Sequence, residues 1–277
     1  MAGRKIERVG LIGLGKMGNP MARHMMAKGF PVVGFDVDAE TMAAAVDIGV
    51  TSASTPAEVA ASCDIVIVVV GFDAEVDHVI FADDGLLAGA KPGAVIAIAS
   101  TVAPQFIKRL PARLAGKDVH MLDIPLTRGE DAAEKGRLLI LGGGDEAVFD
   151  VCRPVFEAFS DAIFHLGPLG AGQIGKMVNN LILWACISAN YEGFKLAETL
   201  GVSPERLREA LAESSAQNWA MDTRADDRPV PWAEKDMTIV LKEADLARLS
   251  LPLCGVVKEV IKGFKIERGL PMPKMPE

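Results

Sequence analysis

Apolar and polar positions alternate between two periods in the first half of the chain. Short β-branched runs recur at 8–12, 31–35, 64–70 and 94–99, separated by stretches with the spacing of an amphipathic helix. The run Asp64-Ile65-Val66-Ile67-Val68-Val69-Val70 has no polar position inside it and predicts a central strand buried on both faces. Weaker strands are expected near Val50 and at 119–123, 138–141 and 162–165. Helices are expected at 39–47, 74–80, 104–116 and 145–159, and Thr55-Pro56-Ala57-Glu58 has the form of a capping box with proline at the first helical position. Strand–helix alternation of this kind predicts an α/β fold with a Rossmann-type, doubly wound parallel sheet and helices on both faces.

The pattern changes at Gly167-Pro168-Leu169-Gly170-Ala171-Gly172, which predicts a first domain at 1–167 and an all-α domain at 168–277. The second opens on a long helix, 173–200, stopped by Gly201. Its first half is apolar almost all round (Ile174, Met177, Val178, Leu181, Ile182, Leu183, Trp184), which predicts burial and, in so small a helical domain, a homodimer or homotetramer. Helices capped by Ser203 and at 233–249 and 253–268 follow, with a loop at 226–231 and a proline-rich tail.

Composition narrows the function. With 277 residues, half of them apolar, the chain can build a real core. A net charge of −8, with no basic stripe, argues against a nucleic-acid partner. No apolar run is long enough to span a bilayer. Residues 1–5 lead into a strand, so no signal peptide is expected. Four scattered cysteines suit a reducing cytoplasm, and the four histidines lack metal-ligand spacing, so no metal is expected.

The candidate chemistry begins at Gly13-Leu14-Gly15-Lys16-Met17-Gly18, which fits G-x-G-x-x-G between a strand and a helix. Gly13 permits the tight turn, Gly15 lets a pyrophosphate approach the backbone, and Gly18 lets helix and strand pack closely. The second strand ends in Asp36, where an acid meets the adenosine ribose hydroxyls of a dinucleotide; the plainer alternative is that Asp36 ends its strand and caps the next helix. The neighbours Val37 and Asp38 offer no cation to a 2′-phosphate, so NAD is favoured over NADP. Other strand ends suited to ligand are Val70-Gly71 and Ser100-Thr101, with Thr101 alternatively capping the helix at Pro104.

Lys176 is the candidate acid–base group. A lysine inside a buried helix is costly unless it is paired or functional, and burial favours the neutral amine that proton transfer needs. Asn180 lies one turn on, on the same face. The alternative is that Lys176 snorkels to solvent.

Taken in order, these motifs resemble the β-hydroxyacid dehydrogenase family, which includes 3-hydroxyisobutyrate dehydrogenase, tartronate semialdehyde reductase and 6-phosphogluconate dehydrogenase. The likeness covers nearly the whole chain. Gly13 to Ala22 matches G-L-G-x-M-G-x-x-M-A, Ser100 to Pro104 matches S-T-x-x-P, Gly170 to Asn180 matches G-x-G-x-x-x-K-x-x-N-N, and Lys235-Asp236 matches a later K-D pair. The resemblance implies an NAD-dependent oxidoreductase acting on a small anionic hydroxy acid. In it, Lys176 is general acid and base, Asn180 orients substrate, and Thr101 and Lys235 line the cofactor and substrate cleft; the alternative for Lys235 is a surface ion pair. It also implies a substrate loop at Asp123-Ile124-Pro125-Leu126-Thr127-Arg128-Gly129, where the family reads D-A-P-V-S-G-G. Thr127 keeps a hydroxyl in place of serine. Arg128 replaces a glycine; it either pairs with an anionic substrate group, points to solvent, or pairs with Glu130. Val70-Gly71 stands where the family has L-P, and the segment before Lys235 is short. Three rivals are weighed. An imine reductase usually lacks the lysine, oxidative decarboxylation of the 6-phosphogluconate type needs a larger helical domain, and a non-catalytic NAD sensor has no use for Lys176 and Asn180.

Overall fold

The structure, a computed structural model, describes residues 5–223 and 232–271; the expected loop at 226–231, most of the segment before Lys235 and most of the proline-rich tail lie outside them. Two compact units emerge, Met1–Lys176 and Met177–Glu277.

The first unit alternates as β1 Val9–Ile12, α1 Gly18–Ala27, β2 Val32–Phe35, α2 Ala39–Asp47, β3 Thr51–Ser52, α3 Pro56–Ser62, β4 Ile65–Val68, α4 Asp73–Phe81, α5 Leu86–Gly89, β5 Ala94–Ile98, α6 Pro104–Arg113 and β6 Val119–Asp123. It continues with β7 Leu126–Thr127, α7 Glu130–Glu134, β8 Leu138–Gly144, α8 Glu146–Phe156 and β9 Ser160–His165. The helix starts follow local chemistry. Thr55 accepts from Glu58 N at 3.2 Å while Glu58 Oε2 accepts from Ser54 N at 2.7 Å, a variant of the capping box that reaches one residue beyond the cap.

The strand order is β3-β2-β1-β4-β5-β6-β8-β7, with β9 beside β8. Along β4 the side chains divide: Ile65 and Ile67 join one buried cluster, Val66 and Val68 another on the opposite face. β5 repeats the division, with Val95 and Ala97 on one side and Ile96 and Ile98 on the other. Burial of each such side chain contributes about 1.5–3 kcal/mol, so a strand with no polar position is stable only between two layers of helices. Because β1 pairs with both β2 and β4, the direction of winding reverses there, and a crevice opens at the carboxyl ends of these strands.

One expectation is revised. The sheet is parallel from β3 to β6, but β8 runs antiparallel to β6 and β7. The link from Thr127 to Leu138 holds only the short α7, too little chain for the crossover that a parallel pair requires. The register Asp123↔Gly143 and Thr127↔Leu139 makes β6 and β7 one bent ribbon along β8.

Helix α9 (Ala171–Thr199) begins in the first unit and runs into the second, which adds α10 Pro204–Ala212, α11 Trp219–Thr223, α12 Ala233–Leu246 and α13 Pro252–Glu267. Trp184, Met237, Val240, Cys254, Val257 and Ile261 form the core of this unit. The expected all-round burial of α9 does not hold within this chain: Ile174, Val178 and Ile182, spaced four apart on one face, are exposed at 38%, 47% and 59%. No helix among the described residues is long and apolar enough to cross a membrane.

Candidate active site

The glycine turn joins β1 to α1. Gly13 has φ 90°, and a Cβ there would lie 2.3 Å from the Val69 carbonyl oxygen; a Cβ on Gly18 would lie 2.0 Å from that of Gly13. Any side chain at either position pushes the turn off the sheet. Around Gly15 the space is open to 4 Å. Helix α1 carries no side-chain cap; in its first turn Asn19 N donates to the Gly15 carbonyl at 3.0 Å and Pro20 has no N–H, so the open backbone for an anion is that of the glycine turn itself. The Asp36 carboxylate is fixed across this turn: Oδ2 accepts from Leu14 N at 2.7 Å and Oδ1 from Asp38 N at 2.9 Å. Asp38, not Asp36, caps α2, accepting from Thr41 N at 2.7 Å. These residues fit a dinucleotide: a backbone cradle without a Cβ in the way, and a half-buried acid held at the end of the second strand.

The neighbouring strand ends are tied together by Ser100. Its buried hydroxyl accepts from Val70 N at 2.8 Å and donates to the Val68 carbonyl at 3.3 Å. Gly71 N donates to Glu75 at 2.7 Å. Thr101 is half-buried and does not cap α6, whose cap residue is Ala103 with no side-chain bond.

Two buried side chains set the start of α9. Asp123, at the end of β6, accepts from Gly170 N and Gln173 N, each at 2.7 Å. Burial pushes its carboxyl above the ordinary carboxylate range, while the N–H donors of Gly170 and Gln173 pull it back. Gln173 donates to the Ser100 carbonyl at 2.8 Å and accepts from Val102 N at 3.1 Å. Sequence reasoning passed over both as site-building residues, although each lies inside a quoted motif. The available signal was a strong polar residue where an apolar strand and an apolar helix begin and end.

Anchored this way, the second turn of α9 carries Lys176 to the loop at 123–129, where substrate binding is expected. Its Nζ donates to the Leu126 carbonyl at 2.5 Å, and the side chain is half-buried, not extended into solvent. Thr127, next along, is buried and donates to the Leu139 carbonyl at 3.4 Å. Arg128 has φ 79° and pairs with Asp161 rather than Glu130, its side chain a third exposed. Glu130 instead faces Lys16 of the glycine turn at 3.6 Å, a weak exposed pair that nonetheless places the two loops side by side. The first unit therefore brings the glycine turn, Asp36, Ser100, Thr127, Gly129 and Lys176 to one end of the sheet.

Two expected residues belong to the second unit. Asn180 is buried and accepts from Asn179 Nδ2 at 3.0 Å. Lys235 stands in the first turn of α12 with Nζ 5.5 Å from the centre of the Trp232 ring. Buried partners flank it: Glu234 pairs with Lys265 at 3.0 Å, and Asp236 accepts from Trp184 Nε1 at 2.9 Å.

A glycine-cradled nucleotide turn on a doubly wound sheet, followed by a lysine-bearing helix and an all-α unit, defines the class: a dinucleotide-dependent oxidoreductase. The comparisons agree. Residues 8–167 match the NAD binding domain of 6-phosphogluconate dehydrogenase, and 170–270 match the NAD-binding domain of NADP-dependent 3-hydroxyisobutyrate dehydrogenase. The chain is 30% identical to 2-(hydroxymethyl)glutarate dehydrogenase of Eubacterium barkeri, covering 94% of this chain and 89% of that one. It is 33% identical to the NAD-dependent L-serine dehydrogenase of Pseudomonas aeruginosa, over 78% and 73% of the two chains. The structure of Mycobacterium tuberculosis 3-hydroxyisobutyrate dehydrogenase with L-serine superposes with a TM-score of 0.84 at 26% identity, covering 95% and 94%. The chain belongs to the 3-hydroxyisobutyrate dehydrogenase / β-hydroxyacid dehydrogenase family. It is an oxidoreductase of the kind that acts on CH–OH groups with NAD(P).

Proposed function

We propose that this protein oxidises a short β-hydroxy acid with NAD, and that Lys176 is the general base in oxidation and general acid in reduction. The observation that carries this reading is the Lys176 Nζ, half-buried and held on the Leu126 carbonyl, one residue before Thr127. A carbonyl accepts from –NH₃⁺ and –NH₂ alike, so the nitrogen keeps its aim whichever form it takes. In oxidation the neutral amine takes the substrate hydroxyl proton as the carbinol C–H bond breaks and a C=O bond forms. In reduction the ammonium returns that proton to the oxygen. The bound nicotinamide supplies the two-electron hydride acceptor or donor. Thr127 and Gly129 hold the substrate carboxylate, Asn180 orients it, and Lys235 meets the cofactor. Residues 1–167 serve as the dinucleotide domain and 168–277 as the substrate and oligomerisation domain.

Asp36 supports the choice of NAD: its carboxylate is fixed beside the glycine turn and followed by Val37 and Asp38, so a 2′-phosphate on a ribose held there would meet like charge. The test is NADH or NADPH formation with a panel of hydroxy acids that includes 3-hydroxyisobutyrate, L-serine and acids with a second anionic group. Expected is turnover of at least one β-hydroxy acid, with kcat/KM about 100-fold higher with NAD than with NADP. Equal use of both cofactors would contradict the role of Asp36.

A further inference from the structure

One polar cluster at the edge of the substrate loop has no part in the chemistry above. Arg128 and Arg248 are the non-glycine residues with positive φ among those described, and Arg128, at 79°, is followed by Gly129, also at 79°. A left-handed backbone sets Cβ against the following carbonyl, which is why glycine ordinarily holds such a place. Here an arginine holds it, and its guanidinium is tied from two sides. It ion-pairs with Asp161 Oδ1 and donates to the Arg137 carbonyl at 2.9 Å. Arg137 Nε in turn donates to Asp161 Oδ2 at 2.8 Å, so each carboxylate oxygen serves one arginine. Asp161 lies on β9 and Arg137 directly before β8, two strands paired in the sheet. The Asp161 carboxyl is held below its ordinary range, first by Arg137 and then by Arg128.

We propose that Asp161, assisted by Arg137, is a positioning residue for the substrate loop. By holding the Arg128 guanidinium it keeps residue 128 in the left-handed backbone, and so keeps Thr127 and Gly129 in the shape that a glycine would adopt unaided. The Arg128 side chain is then a brace and not a substrate ligand. This rests on the proposed function in one respect, that the loop binds the hydroxy acid.

The experiment compares the parent, Asp161→Ala, Arg128→Gly and the double variant. Each is assayed with 3-hydroxyisobutyrate and L-serine at saturating NAD, and unfolded thermally without ligand. In the parent background, Asp161→Ala raises KM for the hydroxy acid about fivefold, leaves kcat and KM for NAD within about twofold, and lowers Tm. In the Arg128→Gly background the same substitution leaves KM unchanged and lowers Tm by less, because glycine needs no brace and only the Asp161–Arg137 pair is lost. A KM rise of equal size in both backgrounds, or none in the parent background, overturns the proposal. Should no hydroxy acid be oxidised by the parent, the functional reading fails. The thermal comparison still decides the brace, since equal loss of Tm in both backgrounds overturns it.

Discussion

At the scale of single residues, the site is built from polar groups whose partners lie far off in sequence. Arg128 and Asp161 are 33 positions apart, and Gln173 and Ser100 are 73 apart. The brace has a pH signature. Asp161 has a folded pKa below its ordinary 3.8, so the folded chain binds fewer protons there than the unfolded one. Its contribution is fully present above 3.8 and is lost as pH falls through the lower folded value. The Tm difference between the parent and Asp161→Ala is therefore largest near neutrality and narrows as pH drops below 3.8, as calorimetry at a series of pH values would read. A difference that stays constant into acid would show that the carboxylate charge contributes nothing.

Single elements divide sharply into those legible in the sequence and those that were not. The glycine turn was legible because each spacing answers a steric demand that the chain meets locally: Gly13 at Val69, Gly18 at Gly13. β4 was legible because an unbroken apolar run has only one comfortable place in a sheet, and the caps at Thr55 and Ser203 because they bond within their own turn. The reversal of β8 was not, since strand direction depends on which neighbour a strand finds and not on its own pattern. The short α5, α7 and α11 carry too few residues to show a period. The buried pair Lys265–Glu234 joins α13 to α12 over 31 positions, and periodicity gave no sign of it. Both side chains are almost fully buried, and among the described residues Glu234 Oε1 has no hydrogen-bond partner. Lys265→Met alone leaves the carboxylate stranded and is expected to cost about 3–5 kcal/mol in chemical denaturation of the chain. Adding Glu234→Leu should recover most of that loss; no recovery would mean that the pair is net stabilising over an apolar replacement.

For the whole molecule, the exposed stripe Ile174, Val178 and Ile182 matters most. A row of large aliphatic side chains along a long helix marks an interaction surface, which a second copy would cover. The expected state is a homodimer or homotetramer. Val178→Asp with Ile182→Asp is expected to shift the mass measured by light scattering toward the monomer, whereas an unchanged mass would place the interface elsewhere.

The Lys176 Nζ, proposed as the acid–base group, is brought to the 123–129 loop by a helix whose first turn Asp123 and Gln173 hold in place. Its direct test is Lys176→Ala, with NADH affinity and hydroxy-acid turnover measured on the same preparation. The expected result is NADH binding within about twofold of the parent and turnover lower by at least ~10²-fold. Turnover within a few-fold of the parent, with binding intact, would contradict the assignment.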